Sequence, residues 1–222
     1  MTDLAAAGRK YPWAPVAGFV LFAIIAFSVL TGSSQALDHL LFLDLAEWAR
    51  AHPVLMRFLA FMSYVAEPVF RISGAVAVVI LMLILRRIRV ALFVVLTTSV
   101  GALLCSTAKA LAARARPDLL PRLDNFDSYS FPSGHSWNGL IFYGEIALVA
   151  ALFVPRRWRL PVVVLGMLLA FLTGWSRIAL GVHWPSDVLA GWIGGGTWLL
   201  LCYSLLLGNE GKRSAAKSPV DP

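Results

Sequence analysis

An all-α, six-span transmembrane helical bundle with amphipathic interfacial helices between spans one and two is the fold this sequence predicts, and three observations predict it. Of 222 residues, 59% are hydrophobic and only 14% are charged, whereas a soluble domain keeps about a quarter of its residues charged. Mean hydropathy is +0.76. The apolar residues gather in runs near the ~20 that a helix needs to cross a hydrocarbon core of ~30 Å.

In order, the runs cover Ala14–Leu30, Pro68–Leu85, Val90–Leu111, Ser136–Val154, Leu160–Leu180 and Ser186–Leu207. Arg9 and Lys10 precede the first run, as in a signal peptide. That run is long and no clear small-residue cleavage site follows it, so it is read as a retained first helix. Basic residues then mark the flanks. Arg9–Lys10, Arg86–Arg87–Arg89, Arg156–Arg157–Arg159 and Lys212–Arg213–Lys217 hold eleven of the 19 Lys and Arg residues. Six spans place all four clusters on one side, which the positive-inside rule assigns to the cytoplasm. The expected organisation is a cytoplasmic N-terminus over 1–13, one membrane domain over 14–207, and a polar, disordered cytoplasmic tail over 208–222.

The formal charge of +7 therefore belongs to membrane flanks and does not point to nucleic acid. Cys105 and Cys202 sit inside apolar runs and read as small core hydrophobes, not as a disulfide. Between runs one and two, residues 33–67 mix Leu37, Leu40, Leu41, Leu45 and Trp48 with Asp38, Asp44, Glu47 and Arg50. Pro53 divides this stretch into two helices, each too charged to cross lipid, so both are expected at the interface. They either roof a lipid-entry gap or simply pack on the bundle.

Three polar blocks interrupt the apolar pattern, each at a span end. Lys109 and Arg116 are seven residues apart, close to two helical turns, which predicts a shared face, with Pro117 ending span three. Alone, the pair reads more readily as basic residues snorkelling to headgroups. Phe131-Pro132-Ser133-Gly134-His135 predicts a helix start with Pro132 in its first turn. Free N–H groups and the helix dipole there favour an anion, Gly134 lets it approach, Ser133 adds a hydroxyl and His135 a proton donor. The third block, from Ser176-Arg177 to His183 and Asp187, links spans five and six, with Arg177 closing span five and His183 opening span six. A carboxylate four residues after His183 can hold one imidazole nitrogen and leave the other free as nucleophile.

Alternation of six spans brings Lys109, Arg116, Ser133, Gly134, His135, Arg177, His183 and Asp187 to one membrane face, opposite the basic clusters. Cations, an N-terminal anion site and two histidines suit phosphate-ester chemistry. Neither carboxylate clusters for Mg²⁺ nor His/Cys sets for Zn²⁺ are present in the sequence pattern, so no metal and no other cofactor is expected.

The blocks K-x6-R-P, P-S-G-H and S-R-x5-H-x3-D resemble the type 2 phosphatidic acid phosphatase (PAP2) superfamily, and all three occur here in order. The resemblance implies that His183 attacks phosphorus to form a phosphohistidine, with Asp187 orienting it. It implies that His135 protonates the leaving oxygen, while Lys109, Arg116, Ser133, Gly134 and Arg177 hold phosphoryl oxygens. The substrate implied is a lipid phosphate or diphosphate in the bilayer: undecaprenyl pyrophosphate, phosphatidylglycerophosphate or phosphatidic acid. A phosphotransferase using the same intermediate and, from another class, a transporter using Glu145 are the alternative readings. The expected location is a bacterial inner (cytoplasmic) membrane, with the site facing the periplasm or exterior. Neither the lipid nor the oligomeric state is written in the sequence. Glu145, ten residues past His135 and so ~15 Å deeper, reads as a neutral or hydrogen-bonded structural group.

Overall fold

The computed structural model describes residues 13–124 and 128–208. Arg9–Lys10, Lys212–Arg213–Lys217, and the expectations for the N-terminus and the tail lie outside these described residues.

Among the described residues eight helices follow one another: α1 (Ala14–Leu30), α2 (Gln35–Arg50), α3 (Pro53–Tyr64), α4 (Pro68–Ile84), α5 (Ile88–Ala112), α6 (Gly134–Phe153), α7 (Arg156–Ala179) and α8 (Pro185–Leu206). No strand occurs among the described residues. Proline opens α1, α3, α4 and α8 in their first two positions, where its fixed φ suits a helix and its missing N–H costs nothing. Helices α5, α6, α7 and α8 are each long and apolar enough to cross a membrane. Pairs α1–α2 and α3–α4 bend by 97° and 54°, and counting each pair as one span raises the total to six.

The apolar runs forecast these helices closely. Run one coincides with α1 at both ends, and the other five lie within four residues of α4 to α8. Two local readings are corrected. Pro132 is not in the first turn of α6, because Ser133 is the N-cap and Gly134 the first helical residue. The Ser133 hydroxyl accepts from the Ser136 N–H, so the serine, not the proline, closes the helix end. His183 does not open a helix but lies in the turn before α8.

Helix α6 is central, packing on α7, α8 and α5, while α1 lies along α8. Small residues let α6 and α8 approach closely, as interhelical packing in lipid requires. A Cβ at Gly195 would stand 2.4 Å from the Trp137 carbonyl oxygen, and one at Gly191 would stand 2.8 Å from that of Ser133. Helices α2 and α3 cover the end of the bundle where α7 stops and α8 starts. Phe42 packs with Ile178, Trp184 and Val188, and Ala49 and Leu59 pack with Ala179.

Candidate active site

The ends of α5 and α7 and the starts of α6 and α8 meet beneath α2 and α3. Lys109 and Arg116 come there by a route the sequence did not predict. Helix α5 stops at Ala112, and Ala113 is left-handed with φ 45° and ψ 31°. The two residues therefore share no helical face, and the helix ends before Pro117 can act. Proline restricts only the residue preceding it. The earlier stop frees Arg114 and Arg116 to reach α8 and its preceding turn.

Lys109 Nζ donates to the carbonyls of Tyr129 (2.7 Å) and Ser130 (3.4 Å). A Cβ at Gly134 would lie 3.6 Å from Lys109 Cε, so the lysine runs beside the N-terminus of α6. The Ser133 N–H donates to the Asp187 carbonyl at 3.0 Å, joining the starts of α6 and α8.

His183 is buried, with Nδ1 3.3 Å from Ser130 Oγ and 3.5 Å from Asp187 Oδ2. Its Nε2 lies 3.2 Å from Arg116 Nη1. A guanidinium only donates, so Nε2 is the acceptor and Nδ1 carries the proton toward Asp187. Burial holds His183 well below its ordinary range, assisted by the positive charges of Arg116, Lys109 and Arg177. The ring is thus a neutral base at neutral pH, its Nε2 lone pair directed among cations. Arg116 is fixed in turn by the carbonyls of Ser128 and Val182, both at 2.8 Å.

Asp187 is fully buried and accepts from Ser130 Oγ (2.5 Å), the Trp184 N–H (2.9 Å) and Arg114 Nη1 (2.6 Å). Arg114 Nη2 reaches Asp38 on α2 at 2.6 Å. Asp38 also accepts the Ser186 N–H (2.9 Å) and hydroxyl (2.7 Å) at the start of α8. Arg177 is fully buried and donates through Nη1 to Ser63 Oγ and to Asp124 Oδ2, the latter at 3.3 Å. His135 Nε2 faces Glu67 Oε1 at 3.2 Å.

Lys109, Arg116, Ser133, Gly134, His135, Arg177, His183 and Asp187 thus gather at one end of the bundle. Sequence reasoning missed Asp38, Ser63, Glu67, Arg114, Asp124 and Ser130, which hold them. Arg114 alone carried a signal, a charge in the six-residue interval between Lys109 and Arg116. Glu145 stands apart. Its carboxylate accepts from Thr97 Oγ1 (2.6 Å) and Thr98 Oγ1 (3.0 Å) of α5. No group of three or more His, Cys, Asp or Glu side chains among the described residues is placed to hold a metal ion. The arrangement offers a neutral imidazole set among cations, a second imidazole near it, and N–H groups and cations suited to developing charge.

A family model described as the PAP2 superfamily matches residues 89–210. The chain is 30% identical over 200 residues to phosphatidylglycerophosphatase B of Bacillus subtilis, covering 89% of this chain and 95% of that relative. It is 39% identical over 71 residues to undecaprenyl-diphosphatase of Sulfolobus acidocaldarius, covering 32% of this chain and 30% of that protein. A crystal structure described as the first transmembrane PAP2 type phosphatidylglycerolphosphate phosphatase, from Bacillus subtilis, superposes with a TM-score of 0.78 at 26% identity. The match covers 94% of this chain and all of that one.

Proposed function

The chain belongs to the PAP2 superfamily, and on that footing we propose that it is an integral membrane lipid phosphatase that works through a phosphohistidine. The substrate is a phosphomonoester or diphosphate of a bilayer lipid: phosphatidylglycerophosphate, undecaprenyl diphosphate or phosphatidic acid. Its relatives phosphatidylglycerophosphatase B and undecaprenyl-diphosphatase support this range.

In the first step His183 Nε2 attacks phosphorus and the bond from phosphorus to the lipid oxygen breaks. His135 gives that oxygen its proton. Lys109, Arg116, Arg177, the Ser133 hydroxyl and the N–H groups from Gly134 onward take up charge on the phosphoryl oxygens. Asp187 balances the imidazolium character that develops on His183. Water, giving a proton back to His135, then attacks the phosphohistidine, and the bond from phosphorus to His183 Nε2 breaks to release inorganic phosphate. The observation that carries this reading is the pair of contacts on His183, with Arg116 on Nε2 and Asp187 on Nδ1.

The same reading places one membrane domain over 14–207, crossing six times, with α2 and α3 at the interface beside the site. The site faces the periplasm or exterior of a bacterial inner membrane, and the termini are cytoplasmic. The basic residues at 86–89 and 156–159, at the opposite ends of the helices from the site, support that orientation.

The test is phosphate release from the three lipids by purified protein with EDTA present. Turnover should persist, and vanadate should inhibit by imitating the five-coordinate phosphoryl group. Activity lost in EDTA and restored by one divalent ion would overturn the mechanism. Transfer of phosphate to a second lipid without release of inorganic phosphate would make the protein a transferase.

A further inference from the structure

Arg71 stands in the first turn of α4, among the apolar residues of a candidate span. An intramembrane charge is costly and calls for a named partner. Arg71 and Gly74 are three residues apart and share a helical face. A Cβ at Gly74 would lie 2.8 Å from the Phe142 ring of α6, so this face turns into the bundle and not toward lipid.

The side chain doubles back toward the site. Arg71 Nε donates to the Ala66 carbonyl at 2.6 Å. That sets the guanidinium against the chain at Glu67, whose carboxylate is 3.2 Å from His135 Nε2. A guanidinium has five N–H donors. Among the described residues, the terminal nitrogens of Arg71 have no hydrogen-bond or ion-pair partner, and the side chain is partly exposed. A cation with unused donors therefore stands next to Glu67, the carboxylate that faces the proposed acid His135.

We propose that Arg71 forms a subsite for a second phosphate group, the one carried by the departing lipid beyond the scissile bond. The proposal rests on the assignment of His135 as the acid, since the leaving oxygen must then face His135 and whatever it carries must lie past it. The Glu67 carboxylate opposes an anion there, and Arg71 offsets that repulsion. A lipid diphosphate carries its second phosphate on the leaving oxygen itself. Phosphatidylglycerophosphate carries a phosphodiester one glycerol further on. Phosphatidic acid leaves as an uncharged diacylglycerol and has nothing for Arg71 to hold. Arg71 is thus a specificity-determining residue that favours leaving groups with their own phosphate.

The experiment measures kcat/KM for the full chain and for Arg71→Gln and Arg71→Lys in one detergent. Undecaprenyl diphosphate and phosphatidylglycerophosphate carry the second phosphate; phosphatidic acid and para-nitrophenyl phosphate serve as references without it. For Arg71→Gln, the loss on substrates with a second phosphate should exceed the loss on the references by about 10–100-fold, the worth of a charge-assisted hydrogen bond. It should appear mainly in KM, and Arg71→Lys should recover part of it. A differential loss confined to the diphosphate, or to phosphatidylglycerophosphate, identifies which second phosphate the subsite holds. Equal losses on all four substrates, as from misfolding, or no differential loss, as from an interfacial anchor, would overturn the proposal. Wild-type protein that releases phosphate from none of the three lipids would instead refute the phosphatase reading itself.

Discussion

Asp38 belongs to no catalytic block, yet its removal should both destabilise the protein and slow it. It is 2% exposed and accepts from Arg114, from the Ser186 N–H and from the Ser186 hydroxyl. Asp38→Ala leaves all three donors unmatched at the start of α8. Breaking a buried ion pair by deleting one partner costs about 3–5 kcal/mol. The Arg114 side chain keeps 16% exposure and a second carboxylate in Asp187, so the lower end, about 3 kcal/mol, is expected. For a chain of this size each kcal/mol moves Tm by about 2–4 °C, giving a fall of about 6–12 °C. Thermal unfolding of the purified protein in detergent measures it, with Asp44→Ala, an exposed position on the same helix, as reference. In the same samples kcat should drop with little change in KM. With Asp38 gone, Arg114 acts on Asp187 alone and weakens its hold on His183. A Tm shift no larger than that of Asp44→Ala, or a loss confined to KM, would refute the strut.

The two histidines should fail differently. His183→Ala should abolish turnover with any leaving group. His135→Ala should cost about 10²–10⁴-fold on a lipid alkoxide and much less on an activated aryl phosphate; equal losses would remove the acid assignment. The depressed pKa of His183 has a consequence for stability. Its unfolded form takes a proton near its ordinary value of 6.5, and its folded form does not. His183 therefore leaves stability unchanged above that pH and subtracts from it as pH falls below. Wild-type Tm should drop more steeply between about pH 7 and pH 5 than that of His183→Gln, and parallel curves would contradict this. Glu145→Gln should remain folded and active, because an amide of the same shape can still accept from Thr97 and Thr98; near-total loss of turnover would assign Glu145 a functional role. Reporter fusions after Arg89 and Arg159 should report cytoplasm, and one within 118–128 the opposite side. A cytoplasmic signal from that last fusion would sink the outward-facing site.

The spans were legible because lipid selects for local composition, and the α1 run carries its boundaries in the sequence itself. The candidate site residues were legible because the proposed chemistry fixes residue type at short spacing, as from His183 to Asp187. Their geometry was less so. The periodicity that joined Lys109 to Arg116 assumed a continuous helix, and the left-handed Ala113 breaks it. Supporting partners were hidden for another reason. Asp38 meets Ser186, and Glu67 meets His135, across long stretches of chain. No local pattern records such a pairing; only the packing of α2 on α8 and of α4 near α6 creates it. Glu145 showed itself as an anomaly, but its threonine partners lie on a different helix.

The close seam between α6 and α8 bears on when the site is assembled. At Gly191 and Gly195 the facing backbone leaves no room for even one added carbon. Sliding one helix past the other would drive a carbonyl oxygen into the opposite chain. The N-terminal end of α6, where the phosphoryl group is proposed to bind, and the turn that carries His183 are therefore locked in register by folding itself. The entropy of bringing them together is lost once, when the chain folds, and need not be lost again each time a lipid arrives. Donors already in place when charge develops need not reorient during turnover. On the proposed function, adjustment to different lipids would then fall to groups outside this seam, such as the Arg71 side chain of α4, with α2 and α3 holding the site residues through Asp38 and Ser63.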